Sequence, residues 1–181
     1  MDLKDIKLSI FKDLHSYESK AVSLDTVLWW IKSDLSVQQK TELYRNLAKT
    51  ITREEANKKV KNSIMPAFSV AVVFNGLGKQ TTHATRVTGL SICDIDHVEP
   101  SKMDEVRSKI RADPHTVLAY TTVSGEGFRV IYCYSAAPTD ENLSAVSAIS
   151  AGQFKPPENG ILYRAAYKKG NQYYADLCGV A

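Results

Sequence analysis

In "IKLSIFKDL", Ile6 to Leu14, apolar and polar residues alternate, and the alternation predicts an N-terminal strand. The period then becomes helical, with Leu24, Val27, Leu28 and Ile31 on one face. "SVQQ" from Ser36 and "TREE" from Thr52 fit the capping-box pattern, in which a hydroxyl accepts from a free N–H and a later Glu or Gln reaches back. Residues 23 to 62 are therefore expected to form two or three short helices. Trp29 and Trp30 fall in the first, one expected in the core and the other at its rim. After Pro66 the texture changes. "AFSVAVVF" predicts a buried strand ended by the Gly-rich turn "NGLGKQ", and "VTGLSICDIDHV" predicts a second. Pro100 and Ser101 open a helix, "SKMDEVRSKIRAD", whose inner stripe is Met103, Val106 and Ile110. "HTVLAYTTV" and "FRVIYCYS" predict two further strands joined by "SGEG". Helices are predicted from Thr139 to about Ser150 and, after the loop "AGQFKPPENG", from Ile161 to Leu177, with Gly179 as C-cap.

Val87 to Tyr134 therefore reads strand–helix–strand–strand, a right-handed crossover followed by a hairpin. This predicts an α+β fold with a ferredoxin-like or RNA-recognition-like βαββ core, helices on one face and the other face open. Residues 1–65 would form an N-terminal strand and helical annex, and residues 66–181 the α+β unit. The 181 residues, 44% hydrophobic, suffice for one well-cored domain with such an annex. A net charge of +3 is compatible with a polyanionic partner without announcing one. The sequence has neither an apolar run long enough for a membrane span nor a signal-peptide pattern, so a cytoplasmic protein without a membrane partner is expected. Cys93, Cys133 and Cys178 are far apart and set in apolar surroundings, which predicts buried reduced thiols.

Within "SICDIDHV", Asp94 and Asp96 stand two apart on a predicted strand and share a face with Leu90 and Ile92. Side by side and partly buried, the two carboxylates would repel, and at least one would be harder to ionise. A divalent cation between them removes both problems. Mg²⁺ or Mn²⁺ prefers oxygen ligands and takes one or two carboxylates plus substrate phosphates. The plainer alternative puts both aspartates in water, one capping a turn and one in an ion pair. In "TTVSGEGFRVIY", Ser124, Gly125, Glu126 and Gly127 form a tight turn that allows positive φ and close approach of a ligand. Pairing Val123 with Phe128 would set Thr122 opposite Arg129, with Phe128, Val130 and Tyr132 on the other face. Arg129 beside such a turn suits phosphate because its planar fork matches the oxygens. The plainer alternative is a hairpin with Gly chosen for geometry and an arginine at the rim.

The two motifs together, "TGLSICDIDHV" and "TTVSGEGFRVIY" with "KNSIMPAFSVAVVF" before them, resemble the archaeo-eukaryotic primase superfamily, in its VirE-type N-terminal, primase-polymerase-like branch. The resemblance is strongest between about Lys58 and Tyr134. It implies that Asp94 and Asp96 bind catalytic metals and that Ser124, Gly125 and Gly127 hold the phosphates of a nucleoside triphosphate. It also implies a single-stranded DNA or RNA template, a helicase as partner, and a role in replication of a mobile element or phage. Two departures stand out. Arg129 occupies a position where many members have histidine. The third acidic residue expected on a later strand has no counterpart, since Asp176 falls in a predicted helix. On that comparison the chain reads as a truncated or reduced member with an incomplete metal site.

The expected chemistry is nucleotidyl transfer: a 3′-hydroxyl attacks the α-phosphate and pyrophosphate leaves. A different class is a non-catalytic single-strand-binding module that stacks bases on sheet aromatics such as Tyr120. A third is another D-x-D enzyme, such as a sugar-nucleotide transferase, which the hairpin and the short chain fit poorly. His97 reads as a strand-end residue, and His83 and His115 receive no role. Lys58, Lys59 and Lys61 read as a solvated helix face before a template contact.

Overall fold

The structure, a computed structural model, describes residues 2–134 and 158–179. The chain divides into two compact units, Met1–Thr88 and Gly89–Ala181. The boundary lies beyond the change of texture at Pro66, so the strands that follow that proline belong to the first unit. The helix predicted from Thr139 and most of the loop after it lie outside the described residues.

In the first unit β1 (Lys7–Phe11) lies between β2 (Lys20–Ser23) and β3 (Ala67–Ser69), antiparallel to both. A separate antiparallel pair joins β4 (Val72–Phe74) to β5 (Ala84–Val87). "AFSVAVVF" thus makes two short strands in different sheets rather than one. The Ser9 hydroxyl accepts from the Phe74 N–H at 2.8 Å, and the Phe11 and Phe74 rings meet edge to face, which ties the two sheets together. Helix α1 (Leu24–Ser33) starts where the Ser23 hydroxyl accepts from the Thr26 N–H. Leu24 and Val27 are buried, whereas Trp29 is exposed and Trp30 half-buried, so neither tryptophan reaches the core. Helix α2 (Leu35–Leu47) is capped by the Asp34 carboxylate, which accepts from the Val37 N–H at 2.9 Å, rather than by the Ser36 box. The Thr52–Glu55 capping box forms as expected on the single turn α3 (Arg53–Ala56), which runs on as a π-helical turn through Lys58, Lys59 and Lys61.

The second unit is a three-stranded antiparallel sheet in the order β6 (Leu90–Ile95), β8 (Phe128–Cys133), β7 (Thr116–Thr121). Gly89, at φ +74, breaks "VTGLSICDIDHV" into β5 and β6. Helices α4 (Met103–Ala112) and α5 (Glu158–Cys178) cover one face of this sheet. There Phe128, Val130 and Tyr132 of β8 pack with Cys93, Ile95, Val106, Ile110, Tyr174 and Cys178. Each of these β8 side chains contributes about 1.5–3 kcal/mol by leaving water. The other face carries Leu90, Ile92 and Asp94, then Arg129 and Ile131, then Leu118 and Tyr120. Leu90 and Ile131 are fully buried, so this face is not the open platform that the sequence suggested. All three cysteines are free; Cys93 and Cys178 are core residues and Cys133 is half-buried.

Close and polar contacts add to the apolar packing of α5. The Tyr132 hydroxyl donates to the Ala166 carbonyl at 3.0 Å, and a Cβ on Gly170 would stand 2.1 Å from that hydroxyl oxygen. A glycine inside this helix is therefore a packing requirement. Beyond it, the buried Asp113 carboxylate accepts from the Tyr173 hydroxyl, from the Tyr174 hydroxyl at 3.2 Å and from the His115 N–H at 2.9 Å. Burial alone would push this carboxyl up, but the hydrogen bonds from Tyr173, His115 and Tyr174 outweigh it and hold it below its ordinary 3.8.

Gly→Ala within a helix ordinarily stabilises by about 1 kcal/mol. Gly170→Ala is expected to reverse that sign and cost about 1–3 kcal/mol, measured by urea unfolding. Asp113→Asn should cost about 1–3 kcal/mol at neutral pH. A carboxyl held low in the folded state stabilises above its unfolded value and loses that contribution on acidification. The gap between wild type and variant should therefore close as the pH falls below 3.8.

Candidate functional site at the end of the edge strand

Strand β6 has a paired neighbour on one side only among the described residues. Its register with β8 sets Asp94 directly opposite Arg129 and Ile95 opposite Phe128. Arg129 donates to both carboxylate oxygens of Asp94, from Nε to Oδ1 at 2.5 Å and from Nη2 to Oδ2 at 2.7 Å. This bidentate fork is the strong form of the interaction. Both side chains keep substantial exposure, 32% for Arg129 and 41% for Asp94, so water screens the pair and its net contribution to stability is about 1 kcal/mol or less. The hydrogen bond to Asp94 raises the guanidinium above its usual value against the opposing effect of burial. Tyr120, the partner of Arg129 on β7, completes a row across the sheet. Burial pushes its phenol up to about 12, against the lowering effect of the adjacent Arg129.

The first charge that answers Asp94 is therefore Arg129. The burial expected to penalise the two carboxylates is absent, because Asp94 and Asp96 are both exposed. The hairpin is also two residues wider than the sequence suggested: Thr121 pairs with Phe128 and Tyr120, not Thr122, faces Arg129. Side chains repeat every two residues along a strand, so a slip of two changes partners without exchanging faces. Phe128, Val130 and Tyr132 accordingly lie on the face predicted for them.

The loop from Thr122 to Gly127 closes on itself and on β6. The Gly125 N–H donates to the Thr122 carbonyl at 2.9 Å, and the Thr122 N–H to the Gly127 carbonyl at 2.9 Å. The Ser124 hydroxyl lies 3.1 Å from that of Thr122 and accepts from the Glu126 N–H at 3.4 Å. Gly125 has φ +83, a conformation that suits glycine. Gly127 serves a different end: a Cβ there would stand 2.0 Å from the Ile95 carbonyl oxygen and 3.1 Å from the Asp96 Cα. The loop main chain thus rests on the main chain of the D-x-D segment, and the Val98 N–H donates to the Glu126 carbonyl at 2.9 Å. Between these contacts His97 takes φ +57; no other described non-glycine residue has a positive φ. Asp94, Asp96, the Ser124–Gly127 loop and Arg129 therefore converge on one end of the sheet.

A pocket of about 520 Å³ opens beside this end, lined by Cys93, Asp94, Ile95 and Asp96 and by Tyr167, Lys168, Asn171, Gln172 and Ala175 of α5. Four consecutive strand residues can line one pocket because it runs along the outer edge of β6. The contribution of α5 carries no signal in the sequence, where it lies some seventy residues from the strand. As metal ligands, the two aspartates supply hard oxygen donors of the kind Mg²⁺ or Mn²⁺ takes from protein. The described residues contain no group of three or more His, Cys, Asp or Glu side chains placed to share an ion, so the remaining ligands would come from substrate and water.

The fold and this site define an α+β protein with a charged sheet end beside an open pocket. Residues 59–181, well over half of the chain, match the family described as BT4734-like, N-terminal domain, and the chain belongs to that family. No curated protein and no solved structure matches it. This family differs from the archaeo-eukaryotic primase superfamily, so the resemblance of the two motifs does not carry membership of it. Short motifs permit such a likeness because local geometry accounts for them here. Arg129 answers the charge of Asp94, and Gly127 lets two main-chain segments touch.

Gly127→Ala is expected to lower stability by about 1–3 kcal/mol, since the added methyl group meets main-chain atoms that cannot rotate away. The urea midpoint should fall at unchanged slope. An unchanged midpoint would show that the loop does not rest on β6.

Proposed function

We propose that this end of the sheet binds a nucleoside triphosphate together with Mg²⁺ or Mn²⁺ and serves nucleotidyl transfer on a single-stranded DNA or RNA template. The observation that carries the reading is the Asp94–Arg129 pair, whose carboxylate borders the pocket together with Asp96. A carboxylate and a guanidinium that neutralise each other are poised to exchange partners when a cation and a polyphosphate arrive together. Asp94 would turn to the cation, and the planar fork of Arg129 to phosphate oxygens. Asp96 would add a second carboxylate, and the Ser124 hydroxyl with the Gly125 and Gly127 main chain would border the phosphates. The bound cation would supply charge neutralisation on the triphosphate. In the reaction the 3′-hydroxyl oxygen bonds to the α-phosphorus, the bond to the bridging oxygen breaks, pyrophosphate leaves and the hydroxyl proton passes to water.

The strand order β6-β8-β7, with β8 inserted between the two strands joined by α4, supports a ferredoxin-like reading of the core. A module that stacks bases on the open sheet has less support. Leu90 and Ile131 are buried on that face, and Tyr120 is half-buried beside Arg129. The helicase partner and the mobile-element setting follow only from the motif resemblance.

Calorimetry with MnCl₂ and ATP together should show binding that Asp94→Asn and Arg129→Ala each weaken about tenfold or more, as expected for loss of a charged contact. Primer extension with labelled triphosphates tests the chemistry. Absence of incorporation with either cation, despite ATP binding, would remove the transfer step and leave a nucleotide-binding site.

A further inference from the structure

The pocket beside β6 has a second wall that is chemically different from the strand. It is formed by α5, which presents Tyr167, Lys168, Asn171 and Gln172 at successive turns. Tyr167 is 44% exposed, with its ring tilted against that of Tyr163 at a centroid distance of 6.2 Å. The Asn171 Nδ2 donates to the Tyr167 carbonyl at 2.6 Å and the Gln172 Nε2 to Asp176 at 2.8 Å. Both amides therefore direct an N–H to their own helix, and their carbonyl oxygens remain as acceptors. Lys168 makes no ion pair among the described residues. A ring face, two amides and a cation suit a flat heterocycle and its sugar. The volume, about 520 Å³, falls in the range of small-molecule sites.

We infer that Tyr167, Asn171 and Gln172 on α5 form the subsite for the base and ribose of the nucleotide whose phosphates and cation face Asp94 and Asp96 in the same pocket. This rests on the nucleotide reading above and adds the specificity-determining wall. Tyr167 stacks the base, and the amide oxygens accept from an exocyclic amine or a ribose hydroxyl. Because these side chains come from one helix wall, the preference for a nucleoside is separable from the affinity for phosphate.

Calorimetry in MnCl₂ should compare ATP with inorganic triphosphate on the intact chain. ATP is expected to bind about tenfold or more tightly, the magnitude of one stacked base. Tyr167→Ala and Asn171→Ala should remove most of that preference while leaving inorganic triphosphate binding unchanged. Tyr167→Phe, which keeps the ring, should retain it. Circular dichroism of each variant checks that α5 is intact; Tyr167 and Asn171 lie outside the buried core, so folding should survive. Equal binding of ATP and inorganic triphosphate by wild type, or full preference in both alanine variants, would overturn this subsite and leave the phosphate site standing. Failure of both ligands to bind would overturn the two readings together.

Discussion

In the antiparallel pairing of β6 with β8, sliding one strand by a single residue would turn Phe128, Val130 and Tyr132 away from α4 and α5 and drive Arg129 into an apolar core. Leaving an unpaired guanidinium there costs far more than any alternative contact returns. The observed register avoids that cost, and much of the second unit follows from it. Asp94 meets Arg129, Ile95 meets Phe128, and the hairpin loop arrives over the end of β6. Once the loop is there, position 127 has room for no side chain, and the main chains of the two motifs lie in contact.

The same register explains how two aspartates survive at the end of an apolar strand. Asp94 has a bidentate partner and remains in partial contact with water, while Asp96 stands beyond the last strand residue. Neither requires a cation for the fold to be stable. An ion pair at the mouth of a pocket is a different object from one inside a core. It costs little to open, because water already screens both of its halves.

Helix α5 shows how one element serves both packing and site. Its inner side is committed to the sheet through Gly170 under Tyr132 and through Tyr173 and Tyr174 on Asp113. Its other side borders the pocket. The clasp on Asp113 fixes one end of the helix relative to β7, through the bond between Thr116 and Tyr174 as well, and so fixes which residues face β6.

Local patterns in the sequence determined the helices of the first unit, the Thr52 cap, the stripe of α4, the strands β7 and β8 with their faces, and the two charged motifs. Each depends on residues a few positions apart, where periodicity and side-chain chemistry act directly. Where the chain had to choose between local options, pattern misled. "AFSVAVVF" and "VTGLSICDIDHV" look continuous, yet each is divided between sheets, because partners distant in sequence decide where pairing stops. The cap at Asp34 displaced the Ser36 box, and the hairpin opened by two residues, because hydrogen bonds within the loop are invisible to alternation. Only the tertiary structure decided that Arg129 holds Asp94, that Gly127 is a contact point, and that Tyr167, Asn171 and Gln172 stand beside Asp96. Those relations join residues from about thirty to more than seventy positions apart, and the register of a sheet and the seat of a helix bring them together, which no local periodicity records.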